Sequence, residues 1–218
     1  MNAWLTVWDL LPVLLFAAIT TLQVTVGGFI VAVLIGLLCA ILQTFRSRLL
    51  RGIIAVYVDV FRAIPVLTQL FIIYFGLTEI GIRLDPLPAA IVGFGINGGA
   101  YLTEVFRAGI GSVHQGQMEA AQMLGMTRLT AMRIIILPQA MRVVLPPLGN
   151  FAIGLLKDTA LASAVAAPEL MFRARNLVDK TFLSTQIYLT TAAIYLVMSL
   201  PLGYVTRRLE ARVGRGRR

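Results

Sequence analysis

A chain of 218 residues with 58% apolar and only 13% charged residues, and a mean hydropathy of +0.85, lies outside the range of ordinary soluble domains. Its net charge of +9 does not point to nucleic acid, because the basic residues form short clusters beside apolar runs with no interleaved aromatics. Cys39 is the single cysteine, which excludes an intrachain disulfide and a cysteine metal cluster. The composition predicts an all-α membrane protein, since a segment in lipid must satisfy its backbone polar groups internally.

The N-terminal stretch carries Asp9 and no basic residue ahead of its apolar run, which argues against a cleaved leader. Trp4 and Trp8 would share one helical face there and anchor it at the membrane interface. The first span is predicted at about 20–42, where Gly28, Ala32, Gly36 and Ala40 form a small-residue ridge that lets helices approach closely. Arg46, Arg48 and Arg51 follow it. The second span is predicted at about 64–82, led in by YVDVFRAIP, with Pro65 in its first turn.

The third span, about 87–109, places Asn97, Tyr101, Glu104 and Ala108 on one helical face. A polar connector over about 112–138 precedes the fourth span, about 139–167, which carries Arg142, Pro146, Pro147, Asn150, Lys157, Asp158 and Thr159. About 14 residues lie between Arg142 and Lys157, fewer than the roughly 20 needed to cross, so the Lys157 cluster belongs at membrane depth or near the outer edge. Pro168 and Glu169 open a connection to the fifth span, about 183–205. The whole chain, 1–218, reads as one transmembrane domain. The loop after the first span, the central connector and the tail from Arg207 to Arg218 hold most of the basic residues, which predicts an outside N-terminus and a cytoplasmic C-terminus.

Neither Lys157 nor Lys180, the only lysines, follows a glycine, so no phosphate loop for ATP is encoded. No set of histidines and carboxylates has metal-ligand spacing, and His114, the sole histidine, is assigned no role.

In the central connector, QMEAAQMLGMTRLTAMRIIILP, the positions Glu119, Ala120, Ala121, Gly125, Ile135, Leu137 and Pro138 resemble the EAA loop of permease subunits of ATP-binding cassette importers. YVDVFRAIPVLTQLFIIYFGL, GGAYLTEVFRAGI, ILPQAMRVVLPPLGNF and LLKDTALASAV resemble segments of the polar amino acid permease branch, so the resemblance runs from Thr20 to Arg208. It implies a type I importer permease fold in the bacterial inner membrane and a subunit that is not an enzyme and binds no metal or cofactor. ATP and Mg would sit on a separate ATPase subunit. The other partners implied are a second permease, identical or homologous, an external solute-binding protein and the lipid bilayer, with no nucleic acid.

The residues themselves predict how the connector is built. Glu119 to Leu124 can form a short helix, Gly125 supplies a permissive C-terminal position, and Thr127 can cap a second short helix running toward Pro138 at an angle to the first. Ala120 and Ala121 would let a partner surface come close while Glu119 offers a carboxylate; by the resemblance that partner is the ATPase.

Ionisable and polar groups at membrane depth are functional candidates because an unpaired buried charge is costly. Asn97, Tyr101, Glu104, Asn150, Lys157, Asp158 and Thr159 form the expected solute pathway. Neighbours in a helix do not face each other, so Lys157 and Asp158 are expected to take different partners, with Lys157 pairing with Glu104. An ion-driven carrier, with Glu104 and Asp158 moving protons or sodium, would need no ATPase; the complete loop pattern and the lack of an internal repeat weigh against it. A membrane-embedded enzyme lacks a recognisable nucleophile and base. Where the resembled branch often has glutamate, seven residues before the aspartate of LLKD, this chain has Phe151, and Ala160 stands where serine is frequent. The missing carboxylate predicts a weak preference for arginine- or lysine-like solutes.

Overall fold

The computed structural model describes residues 3–45 and 47–215, with side chains described as far as residue 211; Arg46 and the end of the basic tail lie outside the described residues. Among the described residues all regular elements are helices. Four helices are long and apolar enough to cross a membrane, or five if one sharply bent pair counts as a span.

Helix α1, Ala3–Gln43, is continuous over 41 residues, about 60 Å at the usual rise per residue. One helix thus carries both the Trp4 and Trp8 face and the span expected at about 20–42. Pro12 lies inside it and removes only one backbone donor, while the apolar run on either side continues without a turn signal. Trp4 and Trp8 remain exposed along this helix. Gly28, Ala32, Gly36 and Ala40 are all buried.

The span expected at about 64–82 lies at a sharp bend between two helices. Helix α2, Arg48–Ala63, and helix α3, Val66–Glu79, meet at a bend of 105°. By itself α3 reaches only about 20 Å, short of the roughly 30 Å hydrocarbon core. The bend has a local cause: Pro65 disfavours a helical residue before it, and Ile64 is extended at φ −89° and ψ 131°. Ser47 starts α2 by accepting from the Leu50 N–H at 3.3 Å, and α2 buries Ile54 and Val58. The carbonyls freed at the corner are satisfied from outside the helix. Gln69 Nε2 donates to the Phe61 and Ile64 carbonyls, each at 2.8 Å, and Asn97 Nδ2 donates to the Phe61 carbonyl at 2.9 Å.

Helix α4, Pro86–Gly111, packs along α1 through glycines on both sides. A Cβ at Gly36 would meet Leu102 Cβ at 2.7 Å, and one at Gly95 would meet Val31 Cγ1 at 2.3 Å. Helix α5, Gln115–Met123, follows. Helix α6, Arg128–Val165, contains a π turn at Met132–Ile136 and closes in a 3-10 stretch at Thr159–Val165. Helix α7, Leu170–Thr181, and helix α8, Ser184–Arg215, complete the bundle.

One buried carboxylate ties three helices together. Glu169 is fully buried and caps α7, accepting from Met171 N at 2.9 Å, Phe172 N at 2.7 Å and the Tyr195 hydroxyl of α8 at 2.9 Å. Thr21 of α1 accepts from the Leu170 N–H at 3.1 Å. Burial pushes the Glu169 carboxyl above its ordinary range, against the lowering effect of these hydrogen bonds. The folded state thus takes up this proton before the unfolded state does. The stability Glu169 contributes is complete below the ordinary carboxylate value and is lost as pH rises through the folded-state value. Thermal unfolding in detergent from about pH 8 to about pH 5 should show the wild type gaining on Glu169→Gln as pH falls. Parallel curves for the two proteins would contradict this.

Candidate functional site: a polar pocket at the helix bend and a capped loop helix

The bend between α2 and α3 opens beside α4 and α6 into a pocket of about 380 Å3, whose lining includes Arg62, Asn97, Tyr101, Phe151 and Asp158. The Arg62 guanidinium lies over the Tyr101 ring, 5.3 Å from its centroid, a cation–π arrangement that orients the charge without neutralising it. Asn97 is fixed by its bond to the Phe61 carbonyl. A cation, a carboxylate and an aromatic ring thus share one small cavity.

Of the residues expected along the pathway, Asn97, Tyr101 and Asp158 come together here, and the others do not. Glu104 pairs with Arg107 one turn along its own helix, with Arg107 Nε donating to Glu104 Oε2 at 3.1 Å. The expected Lys157–Glu104 pair is therefore corrected. Successive helical residues point about 100° apart: Asp158 faces the α2–α3 corner, whereas Lys157 lines a separate cavity of about 490 Å3 with Met171, Tyr188 and Tyr195. Asn150 Nδ2 donates to Glu210 of α8 at 3.4 Å. Thr159 is buried, and its hydroxyl donates to the Leu156 carbonyl at 2.7 Å. Arg62 escaped the sequence reading; its signal was the lone cation of YVDVFRAIP, one turn before Pro65.

At the other end of α2 a cleft of about 580 Å3 is lined by residues that include Arg51, His114, Glu119 and Arg128. The loop helix α5 begins at Gln115 rather than at Glu119, because His114, assigned no role from sequence, is its cap: His114 Nδ1 accepts from the Gly116 N–H at 3.1 Å. Its far end closes as a Schellman motif. Gly125 is left-handed at φ +78°, with Met126 N donating to the Ala121 carbonyl and Gly125 N to the Gln122 carbonyl, both at 3.0 Å. Thr127 then caps α6, accepting from the Thr130 N–H at 3.2 Å.

Two features of the loop differ from expectation. Ala121 is buried at 1% exposure, so it packs within the chain, whereas Glu119 and Ala120 are exposed together with Met123 at 88% and Leu124 at 79%. The second loop helix is not separate. It runs through the π turn into α6, with Leu137 N donating five residues back to the Met132 carbonyl. Ile135 and Leu137 are half-buried and Pro138 is exposed where the regular helix resumes. Pro138 has no N–H to give, so the regular hydrogen-bond ladder is interrupted just after the π turn ends.

A bundle of membrane-length helices with a charged pocket at a helix break, and a short capped helix exposing Met123 and Leu124, defines a multi-pass membrane protein. The comparisons sharpen that class. Residues 32–215 match the family described as the binding-protein-dependent transport system inner membrane component, and the chain belongs to that family. It is similar to the glutamine transport system permease protein GlnP of Escherichia coli K12, at 36% identity over 96% of this chain and 97% of that one. It is also similar to the L-cystine transport system permease protein TcyB of Bacillus subtilis 168, at 37% identity over 95% and 92% of the two chains. A crystal structure of an amino acid ABC transporter superposes with a TM-score of 0.87 at 35% identity, covering 96% of this chain and 98% of that one. An inward-facing MetNI methionine ABC transporter shares the fold, at 20% identity and a TM-score of 0.73. The chain is a translocation subunit with the type I importer permease fold, not an enzyme.

Proposed function

We propose that this chain is the membrane pathway of an ATP-driven importer for neutral polar amino acids, and that the pocket at the α2–α3 bend receives the solute. The observation that carries this reading is the presence of Arg62 and Asp158 in one cavity. A free amino acid offers a carboxylate and an ammonium group, which Arg62 and Asp158 respectively would hold by charge-assisted hydrogen bonds. Phe151, facing the same cavity, offers apolar surface where a cationic side chain would need an anion. The relatives named for glutamine and cystine transport support the substrate class.

The engine is external. A separate ATPase carrying ATP and Mg docks against α5 through Ala120, Met123, Leu124 and the rim carboxylate of Glu119, with Gly125, Ile135, Leu137 and Pro138 setting the frame of the loop. A solute-binding protein delivers ligand to the outer face, and a second permease copy or homologue completes the pathway. The N-terminus faces outward and the C-terminus the cytoplasm, in keeping with the distribution of arginine.

Gly125→Val tests the docking. A Cβ at Gly125 meets nothing within 4 Å, so the substitution acts through the backbone alone; left-handed geometry costs a side-chain-bearing residue about 1–2 kcal/mol. The expected result is a loss of ATPase copurification by about tenfold with little change in the thermal unfolding of the permease itself. Undiminished copurification would sink the docking assignment.

A further inference from the structure

We infer that Gln69 is a positioning residue for solute transfer, which holds the backbone on both sides of Arg62 and so sets where its guanidinium stands. The need for such a hold arises from the sequence at the corner. In a regular helix the Phe61 carbonyl would accept from the residue four places on, but that residue is Pro65, which has no N–H. The Ile64 carbonyl belongs to the extended residue at the bend. Left alone, both would lack partners in a half-buried corner, which is costly.

Gln69 meets the two together. Its Nε2 donates to the Phe61 and Ile64 carbonyls, each at 2.8 Å, so one amide bridges across Arg62 and Ala63. Carbonyls only accept, which fixes the amide with its NH2 group toward them. The Gln69 backbone N–H returns to the Pro65 carbonyl at 3.2 Å. Asn97 reaches the same Phe61 carbonyl from α4 at 2.9 Å, the helix that also carries Tyr101 under the Arg62 guanidinium. Ala63, Ile64, Pro65 and Val66 form the pocket wall beside Arg62. Gln69 itself is buried, at 3% exposure, so it acts on a solute only through what it holds.

The other end of the amide shows that the hold has a use. Gln69 Oε1 has no hydrogen-bond partner among the described residues, and a buried unmet acceptor is destabilising. A leucine of similar volume would avoid that cost, so the advantage of an amide lies in its two donors. A loosened corner lets the guanidinium drift, and misplacement of a preorganised group by about 1 Å removes most of its effect. The inference rests on the solute pocket proposed above, and its test tells the two apart.

L-Glutamine uptake is measured in cells expressing the complete transporter, for Gln69→Leu, Arg62→Gln and the double variant, with permease amount and bound ATPase quantified in each. Gln69→Leu should lower uptake about tenfold at unchanged ATPase binding. In the Arg62→Gln background it should add less than about twofold, because a residue that acts through Arg62 has nothing left to place. Thr78→Val removes a similar side-chain bond, to the Tyr74 carbonyl at 2.9 Å, away from the corner and should keep full uptake. Gln69→Glu carries an O–H donor when protonated, so at about pH 6 its uptake should exceed that of Gln69→Leu by about threefold. Losses that multiply in the double variant would mark Gln69 as merely structural and overturn the inference. Normal uptake by Gln69→Leu, or Gln69→Glu no better than Gln69→Leu at about pH 6, would overturn it too. If Arg62→Gln alone transports normally, the pocket assignment fails and the inference falls with it. Should Gln69→Leu not accumulate, the same double-variant comparison is made with Gln69→Glu at about pH 8, where the ionised carboxylate has no donor.

Discussion

Replacing Arg62 with glutamine is expected to lower amino acid uptake by about 10- to 100-fold, because a hydrogen bond to a charged group contributes about 1.5–3 kcal/mol. Membrane insertion and ATPase binding should persist, since Arg62 is exposed to the pocket, where its guanidinium lies over the Tyr101 ring. Arg62→Lys should rescue poorly, because an ammonium cannot match the forked geometry with which guanidinium meets a carboxylate. Phe151→Glu tests the other side of the same cavity. It restores the carboxylate that the resembled branch often carries, and should raise L-arginine uptake relative to L-glutamine. Uptake assays in cells expressing the complete transporter check both. Normal uptake by Arg62→Gln, or an unchanged arginine-to-glutamine ratio in Phe151→Glu, would remove the pocket from the pathway.

Gly36→Leu should prevent accumulation of folded protein. The first added carbon would stand 2.7 Å from Leu102 Cβ, 2.9 Å from the Leu102 carbonyl carbon and 3.0 Å from Thr103 N. Two of these atoms are backbone of α4, so no rotamer change relieves the clash. Overpacking of a well-filled core usually costs about 1–3 kcal/mol, and here the α1–α4 pair that backs the solute pocket would have to separate. Monodisperse yield in detergent is the measurement, with Gly154→Ala, where a Cβ meets nothing within 4 Å, as the matched control. Equal yields of the two variants would contradict this account of the packing.

The ridge at Gly28, Ala32, Gly36 and Ala40 was legible because small residues four apart have one dominant use in lipid. The turn at Gly125 was legible for a similar reason: few residues tolerate positive φ. Helix α2 was not. Arg48, Arg51, Asp59 and Arg62 dilute its apolar residues, so that it reads as a lead-in, and Pro65 reads equally well as the start of one helix or the end of another. The direction of Lys157 and Asp158 depends on which helices flank α6, and sequence alone carries no such information. Glu169 looked like part of a linker. Its burial arises from residues distant in the chain, Thr21 and Tyr195, which meet it only after the bundle closes.

In the proposed function, ATP hydrolysis on a partner, acting through α5, drives an amino acid through this chain. Proteoliposomes containing the permease with its ATPase and binding protein test it, by following L-glutamine uptake with proton and sodium gradients collapsed by ionophores. Uptake should require ATP on the ATPase side and survive the ionophores. Uptake by the permease alone, driven by an ion gradient and indifferent to ATP, would contradict it.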